Sequence, residues 1–221
     1  MFWKKGGWRI TFRVFEERTE EYDSWFDKQE AIYRSELRLA STFPCEKPCL
    51  EIGVGTGRFA QPLGIEFGID PSANALSISQ GRGIEVVRGT AEHLPFRESS
   101  FNTAYLIVTI CFVEDPFQTL RESFRVLRGG GRLITCVVPL ESEWGSFYEE
   151  RKRRGESLFY RNATFYTRKQ LKEMLEKAGF KVLRAASVLR YPPSSKPFLE
   201  APKEGEEGSF VCYELSKSSG D

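Results

Sequence analysis

The stretch LEIGVGTGR at residues 50–58 predicts the fold of this chain. It begins as an apolar run that contains Glu51 and then breaks into glycines at three alternate positions. These are Gly53, Gly55 and Gly57. Glycine allows both a tight turn and the close approach of a ligand to the backbone. The next apolar run, IEFGID, ends in Asp70. A glycine-rich turn followed by an acid at the tip of the next strand is how α/β sheets hold the ribose of a nucleoside cofactor.

Apolar runs and helical patterns alternate along the rest of the chain, which is typical of an open parallel sheet with right-handed crossovers. Two strands joined by a long loop follow the last helix and indicate an antiparallel pair at the sheet edge. We therefore expect an α/β fold with a Rossmann-like, doubly wound, seven-stranded sheet, mostly parallel with an antiparallel last strand. The strands are predicted at 48–53, 65–70, 84–90, 101–113, 132–140, 181–189 and 210–216.

The predicted topology brings several polar segments to one edge of the sheet. Ligands of such sheets bind at the carboxyl ends of the strands. The glycine loop, Asp70, the loop 90–92 and the segment after Tyr105 all follow strands and are expected to meet there. The first connecting helix, within 58–63, must be very short because the second strand follows so closely. A short helix opens one flank of the site or leaves it to the N-terminal region.

Residues 12–43 carry aromatic and apolar side chains at three- and four-residue steps, with charged residues on the opposite face. This pattern predicts two helices, or one long helix with a break near Asp23 and Ser24. The segment either packs on the rest of the fold or also roofs the ligand site. Its aromatic and apolar stripe is formed by Phe15, Tyr22, Trp25, Phe26, Tyr33 and Leu37.

The length of the chain favours one domain, residues 1–221. We divide it into an N-terminal helical cap at 1–43, a cofactor-binding core at 44–139, a substrate-side insertion at 140–166 and a C-terminal helix and strand pair at 167–221. The insertion contains four consecutive basic residues at 151–154, which we interpret as a solvated helix face. The alternative is a contact with a phosphate or an acidic substrate.

The formal net charge of +1 offers no electrostatic reason to expect nucleic acid or an anionic membrane as a partner. No apolar stretch reaches the roughly 18 residues of a membrane span. Residues 1–10 lack the apolar core of a signal peptide, and we interpret them as a frayed tail or as an artefact of the start site. We expect a cytoplasmic protein, monomeric or homodimeric, whose partner is a small molecule.

The five cysteines favour a reducing compartment, because their number is odd and they are scattered along the chain. Cys111 and Cys136 lie inside apolar runs and are interpreted as small core residues. Cys45 and Cys49 are close together, but no second pair and no histidine lies near them. A zinc site is therefore not expected there.

Four features follow one another in the order found in class I S-adenosylmethionine-dependent methyltransferases. They are LEIGVGTGRF, the acid Asp70, VVRGTAEHLPF and the long stretch from FNTAYLIVTICFV to GGGRLI. The sequence resembles in particular the small-molecule branch called methyltransferase type 11, which includes enzymes of quinone biosynthesis. The resemblance covers residues 48–139 well and 167–216 loosely. It implies S-adenosyl-L-methionine as cofactor and in-line transfer of its methyl group to a small-molecule acceptor, with a nitrogen or oxygen nucleophile favoured.

The resemblance also implies roles for individual residues. The glycine loop would pass under the methionine and ribose of the cofactor, and Glu51 would help fix the methionine amino group. Asp70 would accept hydrogen bonds from both ribose hydroxyls. The loop Thr90-Ala91-Glu92 would frame the adenine, and the backbone near Leu106 would accept from the methionine ammonium. The implied cofactor site comprises Glu51, Gly53, Val54, Gly55, Gly57, Asp70, Pro71, Thr90, Ala91, Glu92 and Leu106.

The sequence departs from the family pattern at positions that bear on acid–base chemistry. Thr90 stands where an acid usually contacts the adenine amine. Asn102 replaces an acid of the fourth strand, and Cys111 and Phe112 occupy positions where histidines are common. We infer that the substrate side lacks an obvious general base.

No catalytic residue and no metal ligand can be assigned from the sequence. His93, the only histidine, is interpreted as structural or solvent-facing. Methyl transfer from a sulfonium needs an in-line nucleophile in a dry pocket, and an amine suits a pocket without a strong base. Aromatic side chains stabilise cations by about 0.5–2 kcal/mol. The substrate-lining candidates, each of which also fits a plain core role, are Tyr22, Trp25, Phe26, Phe112 and Tyr148, with Trp144 beside them.

Two other functions stay open. A NAD-dependent oxidoreductase is suggested by the match of residues 55–60 to Gly-x-Gly-x-x-Gly/Ala. Against it, Asp70 follows too early and no Tyr-x-x-x-Lys pair is present. A non-catalytic module that binds S-adenosylmethionine or S-adenosylhomocysteine is the second alternative, because no general base is evident.

Overall fold

An eight-stranded sheet forms the centre of the protein, whose computed structural model describes residues 12–217. Its strands are β1 (Cys49–Ile52), β2 (Phe67–Asp70), β3 (Glu85–Arg88), β4 (Phe101–Ile107), β5 (Leu127–Val137), β6 (Phe180–Val188), β7 (Lys203–Glu204) and β8 (Phe210–Lys217). The order across the sheet is β3-β2-β1-β4-β5-β8-β6-β7. The first five strands are parallel, and β8 lies antiparallel between β5 and β6.

The predicted fold class is confirmed, with one strand more than expected. The extra strand is β7, two residues in the long loop before β8, which pairs with β6 and forms the sheet edge. The central strands β1 and β4 are buried, apart from the half-buried Asn102, as expected of strands covered on both faces.

The end of β4 differs from the predicted strand at 101–113. The strand stops at Ile107 because Val108 has a backbone φ of 54°, a left-handed conformation that cannot continue a strand. Residues 108–113 therefore leave the sheet at its carboxyl edge, where they are free to line a site. A β-branched residue rarely adopts this conformation, and such strain is concentrated at functional sites.

Eight α-helices lie in the described part of the chain. They are α1 (Arg13–Glu17), α2 (Thr19–Lys28), α3 (Glu30–Ala40), α4 (Ala60–Leu63), α5 (Ala73–Gly81), α6 (Pro116–Val126), α7 (Glu143–Arg153) and α8 (Arg168–Lys177). As predicted, α4 is only four residues long, and it ends at Gly64 in the left-handed conformation. None of the helices within residues 12–217 is both long and apolar enough to cross a bilayer.

The N-terminal cap consists of three short helices, and the predicted break near Asp23 and Ser24 is wrong. The interruptions fall at Arg18 and Gln29 instead. Asp23 lies inside α2, and its carboxylate accepts hydrogen bonds from Arg58 and Arg82 rather than from nearby backbone. An aspartate engaged in this way does not compete with the helical hydrogen bonds. The predicted frayed tail at 1–10 lies outside the described residues.

Four of the five cysteines form disulfides, which corrects their interpretation as unpaired residues. Cys45 is bonded to Cys49, and Cys136 of β5 is bonded to Cys212, its direct neighbour on β8. Cys111 is a buried free thiol. Disulfides occur in oxidising compartments and also inside hyperthermophilic cells, so the cysteines do not assign the chain to a compartment.

The basic run at 151–154 lies at the end of α7 and makes local contacts. Lys152 donates a hydrogen bond to the carbonyl of Ala163, and Arg154 pairs with Glu150. Three of the four side chains are exposed, as predicted for a solvated face.

Candidate functional site

Two adjoining cavities open at the carboxyl edge of the parallel strands, with about 890 and 900 Å³ of empty space including their open mouths. The first lies over β1 and β2, and its polar lining comes from Asp70 and the loop Thr90-Ala91-Glu92. The second lies between the glycine loop and the helical cap and contains Glu51. The residues common to both cavities are Phe15, Tyr22, Gly53, Gly55, Ile107, Val108 and Phe112.

The glycine loop forms the wall between the two cavities. Gly53 has a φ of 78°, and a Cβ atom there would lie 2.5 Å from the side chain of Thr109. Gly55 has a φ of 52° and open space on its cavity side, with a ring atom of Tyr22 3.9 Å from the position of a Cβ. Glycine is required at both positions, because the backbone is left-handed there and ligand space lies beside it.

Gly57 has a different role from the other two glycines. A Cβ at this position would lie 2.5 Å from Ile84 and 2.7 Å from the hydroxyl of Ser79. It lines neither cavity, so this glycine serves the packing of the loop on α5.

Glu51 is buried at the end of β1, 2% exposed, and lines the second cavity. Its Oε2 atom has no hydrogen-bond partner among residues 12–217. Burial and the nearby charge of Asp70 raise the pKa of Glu51 well above its usual range, although the backbone N–H of Ala60 opposes the shift. A buried carboxylate oxygen without a partner destabilises the empty site and suits a cationic ligand group.

Asp70 projects from the end of β2 and holds the glycine loop in place. Its two carboxylate oxygens accept hydrogen bonds from the backbone N–H groups of Gly55, at 3.0 Å, and Ser72, at 2.9 Å. Burial raises the pKa of Asp70 to about 6, although both hydrogen bonds oppose the shift. A carboxylate has about four acceptor positions, so Asp70 retains capacity for two further donors.

The loop Thr90-Ala91-Glu92 lies across the first cavity, next to Pro71. Glu92 is not a free loop acid, because its carboxylate accepts a hydrogen bond of 2.9 Å from the backbone N–H of Glu114. This contact joins the loop after β3 to the segment before α6 and closes the outer side of the cavity.

Leu106 lies apart from both cavities. Its side chain is fully buried on β4 in the core cluster of the opposite sheet face, and its carbonyl accepts from the hydroxyl of Thr135. The next residues, Ile107 and Val108, line both cavities.

A continuous set of aromatic rings lines the second cavity. All five substrate-lining candidates, and Trp144, contribute to it. Tyr148 and Tyr160 lie 4.5 Å apart between ring centroids, and Tyr160 stacks on Phe112 at 5.9 Å. The candidates are Tyr22, Trp25, Phe26, Phe112 and Tyr148, and the aromatic residues not predicted for this role are Phe15, Phe59, Phe159 and Tyr160.

The sequence patterns did not predict one candidate residue, Glu36. Glu36 of α3 is 8% exposed and lines the second cavity. The buried residues of α3 include Ile32 and Leu39, so Glu36 occupies a position of the apolar stripe. A charged residue at a position of the apolar stripe is unusual, and it is the feature of the sequence that points to Glu36.

Three residues singled out in the sequence line neither cavity. His93 is exposed. Asn102 lies at the opposite end of β4, where it donates to the carbonyl of Lys47 and accepts from Arg128. Its replacement of an acid therefore changes nothing on the substrate side, contrary to our interpretation. Cys111 lines neither cavity, and burial raises the pKa of its thiol to about 12.

We expect Gly53→Ala to weaken binding of S-adenosylhomocysteine by at least tenfold and to destabilise the fold by roughly 1–3 kcal/mol, because the added methyl group collides with Thr109. Gly64→Ala is the matched control, since Gly64 is also left-handed but has nothing within 4 Å of a Cβ. Calorimetric titration and thermal unfolding of both variants measure the effects. Equal behaviour of the two variants would show that the contact with Thr109 is unimportant.

The chemistry of the site fits S-adenosylmethionine. The unpartnered Oε2 of Glu51 suits the ammonium of a methionine, and the spare acceptor positions of Asp70 suit two ribose hydroxyls. The left-handed Gly55 leaves open the space that a side chain would otherwise fill. These three features belong to adjoining walls of the two cavities.

Comparisons with known proteins agree with this chemistry. The family model described as "Methyltransferase domain" matches residues 50–135. The crystal structure of a "SAM-dependent methyltransferase, possible histamine N-methyltransferase" from Thermotoga maritima superposes with a TM-score of 0.89 at 40% identity, covering 94% of this chain and 100% of that one. An uncharacterised protein of Methanocaldococcus jannaschii is 37% identical over 204 residues, 92% of this chain and 98% of that protein. Demethylmenaquinone methyltransferase of Staphylococcus aureus is 25% identical over 209 residues, 79% of this chain and 86% of that enzyme.

Proposed function

This chain belongs to the class I S-adenosylmethionine-dependent methyltransferases, and we propose that it methylates a small molecule bound in the second cavity, at a nitrogen or oxygen atom. One observation carries the proposal. The aromatic cavity and the cavity that contains Asp70 share the glycine loop as a common wall. A molecule in the aromatic cavity would thus lie next to a cofactor whose ribose is held at Asp70.

Residues of the two cavities would divide the binding of the cofactor. Asp70 would hold the ribose, Glu51 the methionine ammonium, and the loop Thr90-Ala91-Glu92 would border the adenine. When bound, S-adenosylmethionine supplies an electrophilic methyl group on a sulfonium. The remaining task of the protein is to hold a nucleophile in line and to exclude water, and approximation of this kind supplies up to about 7–11 kcal/mol.

The apolar character of the second cavity supports a small organic acceptor. Its walls are formed by aromatic and aliphatic side chains with a few polar groups among them, which is typical of small-molecule sites. Phe26 and Trp144 form buried parts of its wall, each no more than 5% exposed. Such a site excludes water from the acceptor and so favours displacement by the acceptor over side reactions.

We expect methyl transfer from labelled S-adenosylmethionine to at least one member of a panel of small amines, phenols and quinols. The panel includes histamine, which the description of the Thermotoga maritima protein names. Titrations with S-adenosylhomocysteine and with NADH accompany the assay. Tight binding of S-adenosylhomocysteine without turnover of any acceptor would favour a non-catalytic binding module. Binding of NADH without binding of S-adenosylhomocysteine would favour an oxidoreductase.

A further inference from the structure

Glu36 is a buried acid without a polar partner among residues 12–217. It projects from α3 into the second cavity and is 8% exposed. Its carboxylate makes no hydrogen bond or ion pair with any residue in 12–217, and burial alone raises its pKa to about 8. A carboxylate kept unpaired in an apolar site lowers stability unless a ligand uses it.

The walls around Glu36 suit a cation. The rings of Trp144 and Tyr148 lie 5.9 Å apart, and Tyr148 lies 4.5 Å from Tyr160. Aromatic faces attract ammonium groups most strongly where water is excluded. Tyr148, Tyr160 and Glu36 all line the second cavity, so the rings and the carboxylate border a common space.

Residues 12–217 supply no cation for Glu36. The one basic side chain lining the second cavity, among the described residues, is Arg58. Its guanidinium is already paired with Asp23 at 2.7 Å and with Asp27 at 2.8 Å. Glu51, the other acid of the cavity, is required for the cofactor under the proposed function.

We propose that the acceptor carries a protonated amine and that Glu36 binds its ammonium group between the aromatic walls of the second cavity. The inference rests on the proposed function for the neighbouring cofactor site, and it names the class of substrate. The carboxylate of Glu36 accepts hydrogen bonds from the ammonium, and the rings enclose its hydrocarbon part. Neutral molecules of equal size leave Glu36 unpaired and bind less tightly.

Binding of an ammonium group is coupled to the ionisation of Glu36. The phenols that interact electrostatically with Glu36 from other elements are Tyr22, Tyr148, Tyr160 and Tyr191, and the other ionisable groups of the second cavity are Glu51 and Arg58. Burial raises the pKa of each of these phenols, so they stay neutral between pH 6 and 9. Below about pH 8 the ligand must displace a proton from Glu36. The affinity for an amine therefore rises with pH up to about pH 8, by up to roughly tenfold for each pH unit.

The test uses 2-phenylethylamine and 2-phenylethanol, which differ in charge but are similar in size. Both are titrated calorimetrically into the full chain saturated with S-adenosylhomocysteine, at pH 6, 7 and 8. At pH 8 we expect the amine to bind on the order of 10- to 100-fold more tightly than the alcohol, because charge-assisted hydrogen bonds are stronger than neutral ones. We expect Glu36→Gln to reduce this preference to within about twofold and to abolish its pH dependence.

Glu30→Gln is the matched control, because Glu30 lies on the same helix but is exposed and pairs only with Arg34. It should keep the preference for the amine. Equal binding of the two probes to the unmodified chain, no binding of the amine, or an unchanged preference in Glu36→Gln would each overturn the inference. The titration with S-adenosylhomocysteine alone tests the proposed cofactor site separately, and it should be the same for all three proteins.

Discussion

Asp70→Ala should lower the affinity for S-adenosylhomocysteine by on the order of 100-fold or more, as measured by calorimetric titration. The variant loses two expected hydrogen bonds from the ribose, each worth about 1.5–3 kcal/mol when the acceptor is charged. It also frees the backbone N–H groups of Gly55 and Ser72, which the carboxylate now holds at 3.0 and 2.9 Å. The glycine loop then loses its fixed distance from the end of β2. Asp70→Asn, which keeps one carbonyl oxygen, should lose less.

Asp115→Ala provides the control for the structural part of this effect. Asp115 also follows the sheet and accepts a backbone N–H, from Gln118 at 2.8 Å, but it lines neither cavity. Its loss should cost about 0.5–2 kcal/mol of stability, as for other helix caps, and leave the affinity for S-adenosylhomocysteine unchanged. If Asp70→Ala bound the ligand as well as Asp115→Ala does, Asp70 would have only a capping role.

The same carboxylate should make ligand binding sensitive to acid. With a pKa of about 6 in the folded protein, Asp70 becomes protonated as the pH falls from 7 to 5. A protonated carboxyl accepts fewer hydrogen bonds, so the affinity should fall by up to roughly tenfold per unit below pH 6. In the unfolded chain the pKa is about 3.9. Stability from this group is therefore present below pH 4 and is lost as the pH rises through 6.

The sequence predicted the centre of the fold because local patterns determine it. A buried strand, three glycines and an acid at the next strand end are all short-range features, and the structure has them where expected. The end of β4 was not predictable in this way. Residues 101–113 are apolar almost throughout, and the left-handed turn falls on Val108, a residue type that gives no signal for it.

Contacts between residues far apart in the chain could not be predicted from local sequence patterns either. Cys136 and Cys212 are 76 residues apart, and only the antiparallel register of β5 and β8 brings them together. Helical periodicity predicted which face of the N-terminal cap is apolar but not what that face contacts. The role of Glu36 depends on this missing information, because its helix packs on the C-terminal strands while its carboxylate reaches the cavity.

The N-terminal cap is attached to the glycine loop through Asp23. Asp23 of α2 accepts hydrogen bonds from Arg58, the last residue of the loop stretch, and from Arg82, which follows α5. The three side chains are only 17 to 19% exposed. Burial raises the pKa of Asp23, but the hydrogen bonds from Arg82 and Arg58 outweigh it and hold that pKa well below the usual range. One carboxylate thus joins three segments around the second cavity.

Asp23→Ala should destabilise the protein by about 3 kcal/mol, because the partly buried guanidinium of Arg82 loses its carboxylate partner and that of Arg58 keeps only the exposed Asp27. It should also weaken binding of S-adenosylhomocysteine, since the adjacent Tyr22 lies against the glycine loop and lines both cavities. Urea unfolding and calorimetric titration measure the two effects. The pKa of Asp23 is lower in the folded than in the unfolded state, so its stabilisation is complete above about pH 4 and is lost in more acidic solution.

Asp27→Ala separates this effect from the loss of any charge on α2. Asp27 lies one turn further along the helix and pairs with the same arginine, Arg58, but its side chain is 69% exposed. Exposed ion pairs contribute little, so stability and binding should change only slightly. If Asp23→Ala were as mild as Asp27→Ala, the cap would be held by its apolar face alone. A large effect confined to Asp23 would mean that the short α4 leaves a flank that α2 closes through this carboxylate, and that the cap is part of the cofactor site.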